Sequence, residues 1–164
     1  MLSNKLLTSV SGGIKFVGSG TTSDKIIYFS GMGGLYEGDI VRARAVNATS
    51  FSSATPLSVV TGGYTEIVSL FADDTKECNL TVSYKVMGAS PDTSVVFGTD
   101  SNDVFAAYVL RGVDTSSPFD VTTTTATGIN TTLANPPSIT PSTNGAVIVA
   151  IGAGAASETG LTYE

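Results

Sequence analysis

Arg111, Gly112 and Asp114 stand together in "FAAYVLRGVDTSSPFDV" (105–121), a cation and an acid around a residue that permits a tight turn. A guanidinium presents a planar fork of donors to carboxylates and phosphates, so the trio has the chemistry of a ligand-binding loop. It also has the chemistry of a strand corner. Val104 to Leu110 reads as a strand, Arg111 lies where that strand leaves the core, and Asp114 is three residues on. The expected role is a salt-bridged corner around Gly112, because nothing here assembles a nucleophile, a base and a group to orient them.

The other candidates are sparse. Histidine is absent, which removes the commonest general base and the commonest metal ligand. The single cysteine, Cys78, alternates with Leu80 and Val82 on the apolar side of its run and reads as a buried small hydrophobe. One cysteine without histidine also argues against a transition-metal site. Carboxylates remain. Asp73-Asp74 ends a strand, and "DSND" (100–103) offers Asp100, Asn102 and Asp103 to a calcium ion but lacks an acid at the twelfth loop position. Turn chemistry accounts for these residues. A carboxylate-based glycosidase needs two acids across a cleft, and the nine aspartates are spread over turns. The expectation is therefore no enzyme, with no catalytic, cofactor-binding or metal-binding residues and no cofactor. The sequons at Asn47, Asn79 and Asn130 are expected by chance in a Thr-rich chain. "GSG" (18–20) and "GMGG" (31–34) precede strands, not helices, and are not phosphate loops.

These residues belong to a chain of 164, long enough for one domain with one core. Charged residues make up 13% and Ser plus Thr about a quarter, so the surface is neutral and hydroxyl-rich. Net charge is −6, which repels phosphate backbones and disfavours nucleic acid as a partner. No run approaches the 18 or more apolar residues of a membrane helix, and residues 1–14 lack a signal-peptide core. The expected product is soluble, cytoplasmically made and not membrane-bound.

The positioning elements are strands. "ECNLTVSYKVM" (77–87) alternates Cys78, Leu80, Val82, Tyr84 and Val86 with Asn79, Thr81, Ser83 and Lys85, placing one face on a core and one in solvent. "GDIVRARAV" (38–46) sets Val41, Ala43 and Ala45 against Arg42 and Arg44. "DKIIYF" (24–29), "YTEIVSLF" (64–71) and "SVVF" (94–97) are further β-rich runs, and "AVIVAI" (146–151) suits a strand buried on both faces. Turn clusters separate them at 30–34, 61–63, 88–92 and 142–145, and residues 122–141 read as an extended crossover broken by Pro136-Pro137. The expected fold is all-β, an antiparallel β-sandwich of jelly-roll or immunoglobulin type. Residues 1–17 form an N-terminal arm or first edge strand, and 18–164 form one domain. The core is expected to include Val41, Ala43, Leu80, Val82, Tyr84, Val86, Val109, Val147 and Val149.

Gly63–Glu66 (Gly-Tyr-Thr-Glu), Tyr84–Gly88 (Tyr-Lys-Val-Met-Gly), Arg111–Asp114 with Pro118 and Asp120-Val121, and Asn135–Pro141 follow one another along the chain as a set of motifs. The set resembles β-sandwich proteins from the structural gene regions of tailed bacteriophages, over roughly residues 38 to 155. Leu110 stands where members of that group often carry tryptophan, and the group tends to continue for several more strands. The resemblance implies a non-enzymatic virion structural protein, a capsid decoration or tail or fibre subunit. Its partners would be other copies of itself and major capsid or tail proteins, and its location the virion. The alternative is a carbohydrate-binding module for host adhesion, drawing on Tyr28, Tyr36, Tyr64, Phe51 and Phe119. Partner chains are expected to complete the sandwich by covering 146–151, with residues 2–17 as a donor arm.

Overall fold

The computed structural model describes residues 13–47, 58–73, 77–98, 103–128 and 136–154. Among the described residues seven strands run in chain order: β1 (Lys15–Thr22), β2 (Ile26–Tyr28), β3 (Ile40–Asn47), β4 (Thr65–Ala72), β5 (Cys78–Val86), β6 (Ser94–Val96) and β7 (Asp103–Arg111). A single 3₁₀ turn, Phe29–Met32, follows β2, and no α-helix occurs among the described residues. The fold is all-β and antiparallel. Five strands form one sheet in the order β1-β7-β3-β5-β4, and β2 pairs with β6 in a second.

Alternation assigns the faces of the large sheet. On one face, Val41 and Ala43 of β3 and Phe105, Ala107 and Val109 of β7 are fully buried against Ile27, Phe29, Met32, Met87, Val95 and Phe97. The second sheet therefore packs on this face, with Phe97 stacked on Phe105 at 4.6 Å between ring centroids. β1 approaches closely because it carries glycine, and a Cβ at Gly20 would meet both Met32 and Ile27. On the opposite face, Val46, Cys78, Leu80 and Val82 form a second cluster, joined by Ile67, Val68, Leu70 and Ala72 and by Ile151 and Ala153 from the C-terminal segment. That segment has no regular secondary structure over the described parts of 112–154. It is held to the sheet at Phe119, whose ring meets Tyr84 edge-on at 4.8 Å and lies 5.1 Å from the Arg42 guanidinium. A hydrogen bond from Arg44 Nη1 to the Gly152 carbonyl holds it again farther along.

Several expectations are corrected here. The polar side of β5 does not face solvent: Asn79, Thr81 and Ser83 are buried, because the sheet is covered on both faces. Arg44, expected opposite the core, is buried as well. Residues 146–151 form no strand; Ile148 is 51% exposed and its neighbours are half-buried or exposed. Of the expected core, Val41, Ala43, Leu80, Val82 and Val109 are buried, whereas Tyr84, Val86, Val147 and Val149 are only half-buried. β1 runs from Lys15 to Thr22 across residue 17, with a bulge between Phe16 and Gly18, and residues 2–12 lie outside the described residues.

Candidate functional site

The Arg111 corner is a dense polar arrangement among the described residues, and its partner is not the expected one. Arg111 ends β7, which pairs with β3 through Ile40 and Leu110. One step further along that register, Asp39 faces Arg111. Nε and Nη2 of Arg111 donate to the two oxygens of Asp39 at 2.7 and 2.8 Å, and Nη2 also reaches the Gly34 carbonyl at 3.5 Å. Asp114 is not in the pair. It accepts from the backbone N–H and hydroxyl of Ser116 at 2.9 and 2.7 Å, closing its own turn. Three residues of sequence separation mattered less than the ladder, which brings together residues 72 apart.

The approach to β3 is built to hold the acid. Tyr36 to Asp39 form a reciprocal turn: the Tyr36 N–H donates to the Asp39 carboxylate at 2.9 Å, and the Asp39 N–H donates to the Tyr36 carbonyl at 3.1 Å. The ladder to β5 continues past β3 through the Gly38 N–H to Met87 carbonyl and the Met87 N–H to Asp39 carbonyl, both at 2.8 Å. Asp39 thus locks the entry of the central strand to both neighbours. Its side chain is 1% exposed, against 37% for Arg111. Burial alone would raise the Asp39 pKa, but the Arg111 hydrogen bonds, the Tyr36 N–H and the guanidinium charge outweigh it and hold the carboxyl below its ordinary value. The Tyr36 ring lies 4.3 Å from the Arg111 guanidinium and is 59% exposed. Gly112 follows with a φ of +81°, and a Cβ there would overlap the Gly13 carbonyl oxygen. Tyr36, Glu37, Arg111, Val113 and Thr115 border a shallow depression of about 320 Å³.

Two further clamps are simpler. Lys85 Nζ donates to both oxygens of Asp92 at 2.8 and 2.9 Å and to the Gly62 carbonyl at 2.9 Å, beneath the Tyr64 ring. The Tyr64 hydroxyl is buried without a hydrogen-bond partner, and burial pushes its pKa up, with the Asp92 charge adding to the rise. Asp120 accepts from the backbone N–H groups of Ser142 and Thr143 at 2.6 and 3.2 Å and from the Ser142 hydroxyl at 2.8 Å. The Thr143 and Ser142 side chains and N–H groups hold it at about 2.

The remaining candidates are dispersed. Cys78 is buried, and burial raises its thiol pKa, so it is not poised as a thiolate. Asn79 is buried within β5 and inaccessible to a glycan. Asp73 is exposed; Asp74, Asp100 and Asn102 lie outside the described residues, as do Phe51 and Asn130. Tyr28 and Tyr36 are exposed, whereas Phe119 and Tyr64 are engaged in internal packing. Among the described residues no group of three or more His, Cys, Asp or Glu side chains is gathered, and no helix is long and apolar enough to cross a membrane. The sequence signal for the Asp39–Arg111 pair was present in "GDIVRARAV", an acid at the mouth of a strand, but it needed the β3–β7 register to be read. No protein-family model matches the chain, and neither does any curated protein or solved structure.

Proposed function

We propose that the chain is a non-enzymatic structural subunit that works by protein–protein packing, and that it serves in a tailed-phage virion as a capsid decoration or as a tail or fibre subunit. In this reading the two sheets form a β-sandwich completed by partner chains, which are further copies of itself and major capsid or tail proteins. The observation that carries the structural part is the state of Asp39. Among the described residues it is the one acidic residue buried as a whole, and its oxygens are spent on Arg111 and Tyr36 to lock a strand entry, whereas half-buried Glu77 keeps one buried oxygen, Oε2, without a hydrogen bond. A general base or nucleophile needs a free lone pair aimed at a substrate. The virion assignment rests on the resemblance carried by residues 63–66, 84–88, 111–121 and 135–141.

The test is mass spectrometry and electron microscopy of purified particles from cells that carry the coding sequence. The chain should appear in the particles at a fixed stoichiometry; particles that lack it defeat the assignment. A carbohydrate-binding role is the second reading, favoured by exposed Tyr36 beside the Arg111 depression. Glycan-array binding abolished by Tyr36→Ala, with the fold intact, would establish it in place of the first.

A further inference from the structure

The two edges of the five-stranded sheet are unlike. β1 carries Lys15, a bulge between Phe16 and Gly18, and two glycines. Charges and bulges of this kind blunt an edge against pairing. β4 places its bulge between Glu66 and Val68, and its one charge is Glu66. Both protective devices therefore sit at one end. Val68 to Ala72 ("VSLFA") remains an uncharged, bulge-free stretch whose outward backbone groups have no strand beside them among the described residues.

Apolar side chains flank this stretch on both faces. Val68, Leu70 and Ala72 lie on the side of the Leu80–Val82 cluster, where they are only partly covered, and Phe71 lies half-buried on the other side. The stretch is complementary to itself. In an antiparallel pair centred on Leu70, Leu70 meets its own copy, Val68 meets Ala72, and Ser69 meets Phe71. Glu66 and Asp73 then fall outside the paired residues. A chain of net charge −6 pays a repulsive penalty on self-association, and an uncharged seam adds nothing to it.

We infer that Val68–Ala72 of β4 pairs with the same stretch of a second copy across a two-fold axis, joining two five-stranded sheets into one and merging the two half-covered clusters beside them. An isologous contact of this kind closes as a dimer. The inference deepens the packing role proposed above by naming the surface and the partner, and it rests on that reading for its biological setting only.

Sedimentation of the full chain over a concentration series tests it. The expected result is a species of twice the 16.7 kDa chain mass. Ser69 is exposed, so Ser69→Lys leaves the fold intact while placing a charge in the seam, and it raises the dimer dissociation constant by about tenfold or more. Thr65→Lys, outside the paired stretch, leaves the dimer unchanged. Leu70→Cys supplies a geometric check, because directly opposed residues lie about 4.5–5.5 Å apart, within disulfide range. It should give a cross-linked dimer on mild oxidation, whereas the buried Cys78 of the unaltered chain should not. A monomer at every concentration overturns the inference. So does a dimer that survives Ser69→Lys, or one lost on Ser69→Lys and Val149→Lys alike with no Leu70→Cys cross-link, which would mark the 146–151 run as the partner strand. A chain that is monomeric yet present in particles defeats the β4 contact alone; a β4 dimer absent from particles defeats the virion reading alone.

Discussion

Asp39 and Arg111 share a pair of hydrogen bonds but not an environment, and removing each partner has a different consequence. Asp39→Ala takes away a buried acceptor and leaves a half-exposed guanidinium that water can solvate, so the expected loss of stability is about 1–3 kcal/mol. Arg111→Met leaves a buried carboxylate with the Tyr36 N–H as its remaining partner, and it should cost more than Asp39→Asn. The two cases separate by pH. In the native chain the Asp39 pKa is lowered, so its contribution is complete above the unfolded value near 3.8 and is lost as pH falls through the folded value. In Arg111→Met burial prevails and raises the pKa, so the folded state binds a proton more readily than the unfolded one. That variant should therefore gain stability as pH falls from 7 to 4.5, a range over which the contribution of Asp39 to the native chain stays complete and does not change. Urea unfolding at the two pH values checks this, and equal shifts in both proteins would refute the assignment. Thr81 offers the opposite test, since its hydroxyl is buried without a hydrogen-bond partner. Thr81→Val should be neutral or stabilising, by up to about 1 kcal/mol in thermal or chemical unfolding. Neither residue was legible as special from sequence. Asp39 had no assigned role in "GDIVRARAV" and Thr81 read as a solvent-facing position, because the ladder partner of one and the second covering layer of the other are long-range facts.

At the scale of elements, alternation was sufficient to place β3 and β5 and to choose the apolar side of β5, and β-rich or apolar runs placed β4 and β7. Alternation could not tell that the other side is also covered. Small polar residues such as Ser83 and Thr81 tolerate burial when the neighbouring strands supply Ala43, Ala107 and Val109 for the second sheet to pack on. The run "AVIVAI" failed for a related reason. Apolar composition states that side chains prefer cover, not that a backbone ladder is available, and here Ile151 reaches the Leu80–Val82 cluster from a segment with no strand partner. The β7 corner was read correctly at Gly112, where the backbone takes a positive φ. Gly112→Ala would strain that backbone by about 1–2 kcal/mol and push a methyl group into the Gly13 carbonyl, displacing the start of β1. The expected loss exceeds that of an ordinary exposed Gly→Ala change, and amide exchange should accelerate in β1 while β3 and β5 stay protected. Uniform loss of protection across the sheet would show that the corner supports more than one edge.

For the whole molecule, the decisive contrast is between a sheet held by ladders and a C-terminal segment held by side chains. The described parts of that segment touch the sheet through Phe119, Ile151, Ala153 and the Arg44–Gly152 bond, and the segment closes on itself through Asp120, Ser142 and Thr143. Structures with few buried contacts and little backbone pairing open at lower free energy than the core they cover. Asp120 is exposed and held near 2, so its clamp should persist as pH drops past 4 and release as pH passes about 2. The Ser142 and Thr143 amide resonances should titrate with that midpoint, and a midpoint near the ordinary aspartate value would mean the clamp is not formed. Phe119→Ala removes the ring that Tyr84 and Arg42 share, and it acts where the segment first crosses the sheet. The expected outcome is faster proteolytic cleavage within 120–154, with the strand amides of β3, β5 and β7 still protected from exchange. Lifting the segment uncovers Leu80, Val82 and Val46, so binding of a hydrophobic dye should rise together with cleavage. If cleavage of the segment instead occurs only at the rate of global unfolding, in the native chain and in Phe119→Ala alike, the segment is an integral layer of the fold and the contrast drawn from its missing ladder is wrong.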